Sequence, residues 1–223
     1  MNERGLFVVI EGIDNCGKTT QSMMLTDWFV KQGKTAIQTR EPGGTEVGEE
    51  IRTILKKSRR QLMHPDTQTL LFYAARNDFM RNVVRPNILN GVNVISDRFD
   101  PSTFAYQCYA QGVSTEFVRS LSNYVCTDEE GGWIGPNLTV IIDIPAEESF
   151  KRLQNEDNKD QSAIYEEQGV GFMAEVRMGY LQYVQGVSPR SDKLYVPDNT
   201  HLIDGMRSKI MIHKEIVGLV EKN

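Results

Sequence analysis

The residues with the clearest chemical meaning lie at positions 12–19, where the chain reads Gly-Ile-Asp-Asn-Cys-Gly-Lys-Thr. This is the pattern G-x-x-x-x-G-K-[ST] of a phosphate-binding loop, or P-loop. Its glycines allow a tight turn, so that successive backbone N–H groups point at phosphate oxygens. In such a loop Lys18 reaches the β- and γ-phosphates, and the Thr19 hydroxyl is placed to ligate Mg²⁺. The predicted ATP-binding residues are Gly12, Ile13, Asp14, Asn15, Cys16, Gly17, Lys18, Thr19 and Thr20.

A second candidate element is Asp97-Arg98, which directly follows an apolar run. A carboxylate at the end of a buried strand can hold Mg²⁺ directly or through water. Arg98 comes next and should point into the same opening. A helix N-cap followed by a surface arginine is the alternative explanation of the pair, and the presence of the P-loop in the same chain further favours the site.

Three further blocks could bind a second ligand beside the loop. Residues 39–45 contain Pro-Gly-Gly, which excludes regular structure and places Arg40 and Glu41 at the mouth of the site. Phe72 and Arg76 are four residues apart on a predicted helix, so a ring that stacks on a base and a guanidinium that bonds its edge would share a face. A core phenylalanine and a solvated arginine are the commoner explanation of that spacing.

The last of these blocks spans residues 102–107 and concentrates hydrogen-bonding groups at the start of a predicted helix. Its hydroxyls and amide lie within about one and a half helical turns and suit a sugar and a base. The residues concerned are Ser102, Thr103, Tyr106 and Gln107. A simple N-capped helix would explain Ser102 alone.

Alternating strand and helix patterns must position these residues. Apolar runs predict strands at 6–10, 35–39, 92–96, 138–144 and 201–203. Helical patterns fall at 18–32, 46–57, 66–84, 102–112, 114–125, 146–153, 170–185 and 208–221. Continuous apolar strands separated by helices predict a parallel sheet covered on both faces, whose ligands bind at the carboxyl ends of the strands. Residues 127–136 and 154–171 break the pattern, and the second, acidic stretch could be a mobile lid.

Composition narrows the functional classes. The 223 residues predict one domain, spanning 1–223. The formal net charge of −5 argues against a nucleic-acid partner. No apolar run approaches the ~20 residues of a membrane span, so we expect neither a membrane segment nor a signal peptide. Three cysteines without metal-ligand spacing fit reduced thiols and a cytoplasmic location.

Together these blocks resemble thymidylate kinases, particularly the bacterial type, in order and spacing over residues 5–205. The most specific matches are residues 39–45 and 97–107, joined by Glu11-Gly12, 70–76 and 136–139. The resemblance implies a P-loop NTPase three-layer α/β sandwich with about five parallel strands and a mobile lid near 154–171. It also implies a homodimer that transfers the ATP γ-phosphoryl to thymidylate (dTMP).

The resemblance also implies a role for each matching position. Asp14 and Glu41 would face the acceptor's sugar and phosphate, Arg40 and Arg98 would hold that phosphate, and Lys18, Thr19 and Asp97 would serve ATP and Mg²⁺. The implied dTMP-binding residues are Asp14, Arg40, Glu41, Arg52, Phe72, Arg76, Arg98, Ser102, Thr103, Tyr106 and Gln107.

One departure from the family pattern concerns catalysis. Members usually place an extra arginine near the γ-phosphoryl, from inside the P-loop or from the lid. The loop position here is Asn15, and residues 154–173 contain no arginine. Arg152 at the base of the lid, Lys159 within it, or an arginine from elsewhere would have to serve.

Two rival functions stay open from the residues alone. A broader deoxynucleoside monophosphate kinase would use the same scaffold, since Arg76 could meet guanine O6 as well as thymine O4. An ATP-hydrolysing switch belongs to a different class and would need no acceptor. The blocks around Phe72 and Tyr106 argue against the switch.

Overall fold

A five-stranded, fully parallel sheet forms the centre of the protein, with strands in the order β2-β3-β1-β4-β5. The computed structural model describes residues 4–57, 63–128, 130–155, 168–187 and 199–222. The strands are β1 (Phe7–Glu11), β2 (Ala36–Arg40), β3 (Asn93–Asp97), β4 (Leu138–Asp143) and β5 (Thr200–Asp204). All five predicted strands are confirmed, and nine of their ten ends differ from the predicted position by one residue.

The helices occupy the segments between the strands. They are α1 (Lys18–Lys31), α2 (Glu46–Lys57), α3 (Pro65–Phe79), α4 (Arg85–Leu89), α5 (Asp100–Thr103), α6 (Thr115–Cys126), α7 (Ala146–Asn155), α8 (Gly169–Val184) and α9 (Lys209–Val220), with π-helical segments at Met80–Val84 and Phe104–Ala110. Among these described helices, none is long and apolar enough to cross a membrane.

Several helix boundaries differ from the sequence prediction. The helix expected at 66–84 runs on to Leu89 through a π-helical segment, and the one expected at 102–112 begins at Asp100. The ends of the stretch expected to be irregular, 154–171, are helical, because α7 extends to Asn155 and α8 begins at Gly169. Residues 156–167, most of the predicted lid, lie outside the described residues.

Side chains alternate across β1 into two hydrophobic clusters. Val8 and Ile10 pack with Leu25 and Phe29 of α1, whereas Phe7 and Val9 pack with a cluster that includes Phe79, Met80 and Val84. Because successive residues of a strand point to opposite faces, one apolar strand contributes to two core layers. Helices therefore cover both faces of the sheet, as the apolar strands predicted.

Candidate active site

The P-loop connects β1 to α1 and has the backbone conformation that its glycines allow. The φ angles of Gly12, Asn15 and Gly17 are +136°, +59° and +100°. Lys18 begins α1 and is buried, and its Nζ donates to the Ile13 carbonyl at 2.7 Å. The ammonium therefore lies across the loop, where the N-terminal end of α1 adds positive potential for an anion.

Thr19 and Asp97 lie together beside the loop. The Thr19 hydroxyl Oγ1 donates to Oδ2 of Asp97 at 2.5 Å. Strand pairing explains the contact, because β3 lies next to β1 with Asp97 opposite Ile10, directly before the loop. A hydroxyl and a carboxylate at this distance are oxygen donors of the kind that Mg²⁺ prefers.

Arg98 follows β3 in a left-handed backbone conformation, with φ of +77°. Its Nη2 donates to the carboxylate of Asp14. Its Nη1 donates to the Gly12 carbonyl at 3.1 Å, to Oγ of Ser102 at 3.1 Å and to Oη of Tyr180 at 3.2 Å. The guanidinium is thus joined to the P-loop on one side and to α5 and α8 on the other.

A buried carboxylate behind Arg98 completes a frame of hydrogen bonds around this guanidinium. Glu11 Oε1 accepts from the backbone N–H groups of Phe99 and Ser102 at 2.7 and 3.2 Å. Its Oε2 accepts from the hydroxyls of Ser102 and Tyr180 at 2.7 and 2.8 Å. Burial raises the pKa of Glu11, although these donors and the Arg98 charge favour its ionised form.

Arg76 is buried within a second hydrogen-bonded frame, which excludes the alternative of a solvated arginine. Its Nε donates to Glu41 Oε2 at 2.7 Å, its Nη1 donates to Asp100 and Thr103 at 3.1 Å each, and its Nη2 donates to the Phe99 carbonyl at 3.0 Å. These contacts use four of the five N–H groups of the guanidinium. One N–H of Nη2 is left over among the described contacts.

Carboxylates hold Arg76 in place at a cost in solvation. Burial raises the pKa of Glu41 to about 7, while the Arg76 charge opposes that rise. Glu41 Oε1 is buried and has no hydrogen-bond partner among the described residues. Asp100 accepts from the Tyr73 hydroxyl as well as from Arg76, and its Oδ2 accepts from Ser122 at 3.1 Å.

One cavity of about 820 Å³ joins the two sets of predicted residues. It is lined by Asp14, Asn15, Gly17, Lys18, Thr19, Thr20, Arg40, Glu41, Arg52, Phe72, Arg76, Asp97, Arg98, Ser102, Thr103, Tyr106 and Gln107, among others. The lining does not include Gly12, Ile13, Cys16 or Arg152. The volume lies within the ordinary range for a ligand pocket.

Aromatic and amide groups outside the P-loop also line the cavity. Phe72 is half-buried and packs against Ile51 and Leu55 of α2 while it lines the cavity, so its core and ligand roles are compatible. The ring of Tyr106 lies 5.3 Å from the Arg98 guanidinium. Gln107 Nε2 donates to Oε1 of Gln111 at 3.2 Å.

Two further arginines, Arg40 and Arg52, line the cavity. Arg40 is half-exposed and pairs with Glu49 at 3.2 Å. Arg52 donates from Nη1 to the Pro42 carbonyl at 3.1 Å. Arg40 ends β2 within the 39–45 block, and Arg52 contacts the same block from α2.

Arg152 lies behind the P-loop. Its Nη1 is 3.5 Å from the Asn15 carbonyl, its Nη2 donates to the Gly205 carbonyl at 3.1 Å, and its Nε donates to Glu148 at 2.8 Å. Lys159, the other candidate for the missing cation, lies outside the described residues.

Sequence reasoning gave no role to several residues of these frames. Glu11 could have been noticed as a carboxylate that ends an otherwise apolar strand. Asp100 comes two residues after Arg98, but that position does not reveal that its carboxylate pairs with Arg76. Tyr73 and Tyr180 read only as core aromatics, since nothing in their local pattern reveals a carboxylate partner far away in the chain.

A P-loop between the first strand and first helix of a 2-3-1-4-5 parallel sheet defines a P-loop NTPase fold. The cavity beside the loop is lined by a second, non-loop set of groups. A family model described as thymidylate kinase matches residues 10–213. The chain belongs to the thymidylate kinase family.

Curated relatives cover nearly the whole chain. A thymidylate kinase from Sulfurihydrogenibium sp. is 38% identical over 96% of this chain and 95% of its own. One from Caldanaerobacter subterraneus subsp. tengcongensis is 37% identical over 98% and 96%. One from Methylobacillus flagellatus is 34% identical over 98% of each chain.

Proposed function

We propose that the protein transfers the γ-phosphoryl group of ATP to dTMP, giving ADP and dTDP. The observation that carries the proposal is the shared cavity, which is lined by the P-loop and by the Phe72–Arg76 and Ser102–Gln107 groups. A site for ATP hydrolysis alone would need no second set of polar and aromatic groups. Family membership supports the same activity.

The reaction needs charge neutralisation more than proton transfer. An oxygen of the acceptor phosphate forms a bond to the γ-phosphorus while the bond to the β–γ bridging oxygen breaks. A monophosphate with a second pKa near 6 is already largely dianionic at neutral pH, so no general base is required. No histidine is among the described residues that line the cavity. Lys18, Arg40 and Arg98 supply positive charge there and align the two phosphates.

The oxygen donors beside the P-loop suit a magnesium ion. We propose that Thr19 and Asp97 hold Mg²⁺ there, directly or through water, together with ATP phosphate oxygens. Among the described residues no group of three or more His, Cys, Asp or Glu side chains is placed to hold a metal ion. When bound, Mg²⁺ would offset the negative charge of the phosphates.

Acceptor recognition is proposed for the frame around Arg76. The remaining Nη2 hydrogen of Arg76 would donate to a carbonyl on the base edge, and Phe72 would stack on the base. Arg52, Thr103 and Gln107 would complete the base pocket. Asp14, Glu41, Ser102 and Tyr106 would face the sugar and phosphate.

We propose that Arg152 takes the role of the extra arginine that family members usually place near the γ-phosphoryl. Its Nη1 lies beside the carbonyl of Asn15, the loop position where the family often has an arginine. Its side chain is 30% exposed, so a change of rotamer could bring the guanidinium toward the phosphates. Lys159 is the alternative cation.

We further propose a single kinase domain that acts as a cytoplasmic homodimer. The family match over residues 10–213 supports one domain. The three cysteines are free and buried, in keeping with a reducing compartment. Light scattering after size-exclusion chromatography would test the dimer.

A coupled assay of ADP release tests the activity. With ATP and Mg²⁺, we expect kcat/KM for dTMP to exceed that for dCMP, dAMP and dGMP by about a hundredfold, because a pocket built to bond one base edge rejects mismatched edges. Removing Mg²⁺ with a chelator should stop turnover. Similar rates with several acceptors would indicate the broader kinase, and full ADP release without an acceptor would indicate the switch.

A further inference from the structure

The hydroxyl group of Tyr180 connects a distant helix to the arginine of the site. Tyr180 is on α8, yet its Oη lies 2.8 Å from Glu11 Oε2, 2.8 Å from Ser102 Oγ and 3.2 Å from Arg98 Nη1. Its side chain is 2% exposed and does not line the cavity. Any effect of Tyr180 on the reaction must therefore pass through a neighbour.

Close packing of α8 brings this hydroxyl to its place. A Cβ atom added at Gly179 would lie 2.8 Å from the Cα of Ala105, so only a glycine lets the two backbones approach this closely. The neighbouring Tyr180 ring meets the Tyr106 ring edge-on, with centroids 6.5 Å apart. The position of the hydroxyl is thus fixed by backbone contact and ring packing.

The hydrogen bonds define what the hydroxyl does. Tyr180 and Ser102 each donate to the Glu11 carboxylate and each accept from Arg98 Nη1. Two hydroxyls therefore bridge a buried anion and a cation. The bridge fixes the Nη1 edge of a guanidinium whose backbone is already in a left-handed conformation.

We propose that Tyr180 is a positioning residue for Arg98, whose charge it aims at the acceptor phosphate through the Glu11–Ser102–Tyr180 bridge. The proposal rests on the proposed dTMP kinase activity. Because one edge of the guanidinium is fixed, the group stays aligned with the acceptor phosphate during phosphoryl transfer. Tyr180 should accordingly affect turnover with dTMP and leave ATP binding unchanged.

Tyr183 on the same helix provides a matched control. Its side chain is also buried and its ring packs on Phe104 at 5.4 Å, but its hydroxyl has no hydrogen bond among the described residues. Tyr180→Phe and Tyr183→Phe therefore remove the same atom from the same helix, and only the first change removes a contact to Arg98.

The test compares both variants with the wild-type enzyme in steady-state kinetics. We expect Tyr180→Phe to lower kcat/KM for dTMP about tenfold, the size of one hydrogen bond to a charged group, mainly through kcat. The KM for ATP should stay within about twofold of wild type. Tyr183→Phe should leave both constants unchanged. Glu11→Gln, which alters the far end of the bridge, should repeat the pattern and serves if Tyr180→Phe does not fold.

An Arg98→Lys background separates positioning from general structure. A lysine has no Nη1 edge to fix, so adding Tyr180→Phe there should change kcat by less than about twofold. The same tenfold loss in both backgrounds, an equal loss in Tyr183→Phe, or no loss at all would overturn the proposal while wild-type activity upholds the kinase. A wild-type enzyme inactive on dTMP would overturn both.

Discussion

The two sides of the cavity hold their cations in different ways. On the side proposed to bind the donor ATP, Lys18 is held by a backbone carbonyl of its own loop, five residues away. On the side proposed to bind the acceptor dTMP, Arg76 and Arg98 are held by carboxylates that lie between 24 and 84 residues away in the chain. The donor-side charge can therefore be removed with little effect on the fold, whereas the acceptor-side charges belong to buried ion pairs that also stabilise the fold.

The largest expected effect is on the donor side, where activity should be lost while the fold is retained. Lys18→Ala should lower kcat at least about a thousandfold, because the charge at the β- and γ-phosphates disappears. The free energy of unfolding should fall by only about 1 kcal/mol, the size of one hydrogen bond. Urea unfolding and the coupled assay measure the two effects.

Lys31→Ala at the exposed end of α1 is the control and should be neutral in both measurements. Near-normal turnover in Lys18→Ala would contradict the assignment of the loop.

Arg76 should show the opposite behaviour, with stability lost as well as activity. Arg76→Met leaves Glu41 and Asp100 without their buried cation, which should cost about 3–5 kcal/mol of unfolding free energy at pH 8. Arg81→Met, an exposed position shortly after α3, is the matched control and should change little. A stable Arg76→Met variant would remove the contrast between the two sides.

The acceptor-side frame should also respond to pH. Burial raises the pKa of Glu41 from 4.5 to about 7, so the folded state takes up a proton that the unfolded state releases over that range. The contribution of Glu41 to stability therefore falls as pH rises from about 4.5 to 7, by up to about 3 kcal/mol.

Comparison of wild type with Glu41→Gln in chemical unfolding at several pH values isolates this effect. As pH rises, the unfolding free energy of the wild type should fall relative to that of the Glu41→Gln variant. Parallel curves would show that Glu41 stays ionised beside Arg76 throughout.

The smallest expected effect concerns the cation behind the P-loop. Arg152→Ala should lower kcat about a hundredfold, less than a dedicated arginine finger provides, because the guanidinium starts outside the cavity. Lys151→Ala, its exposed neighbour on α7, removes the same charge and should be neutral. An unaffected Arg152→Ala would direct the same experiment to Lys159.

The success of sequence reasoning differs between the two sides for the same physical reason. Gly12, Lys18 and Thr19 act through a loop of eight residues, so their spacing alone carried the prediction. Phe72 and Arg76 were also predicted as site residues, and both line the cavity, but four-residue spacing could not distinguish a solvated arginine from a buried one. The partners that decide this, Glu41 and Asp100, come from other elements.

The sequence by itself determined the alternation of strands and helices, the P-loop and the blocks beside it, because apolar periodicity and glycine positions act over short distances. Only the tertiary structure decided which carboxylate meets which arginine, and that Tyr180 reaches Glu11 across 169 residues of chain. Buried charges must find partners wherever the fold brings them together, and local spacing does not encode that meeting.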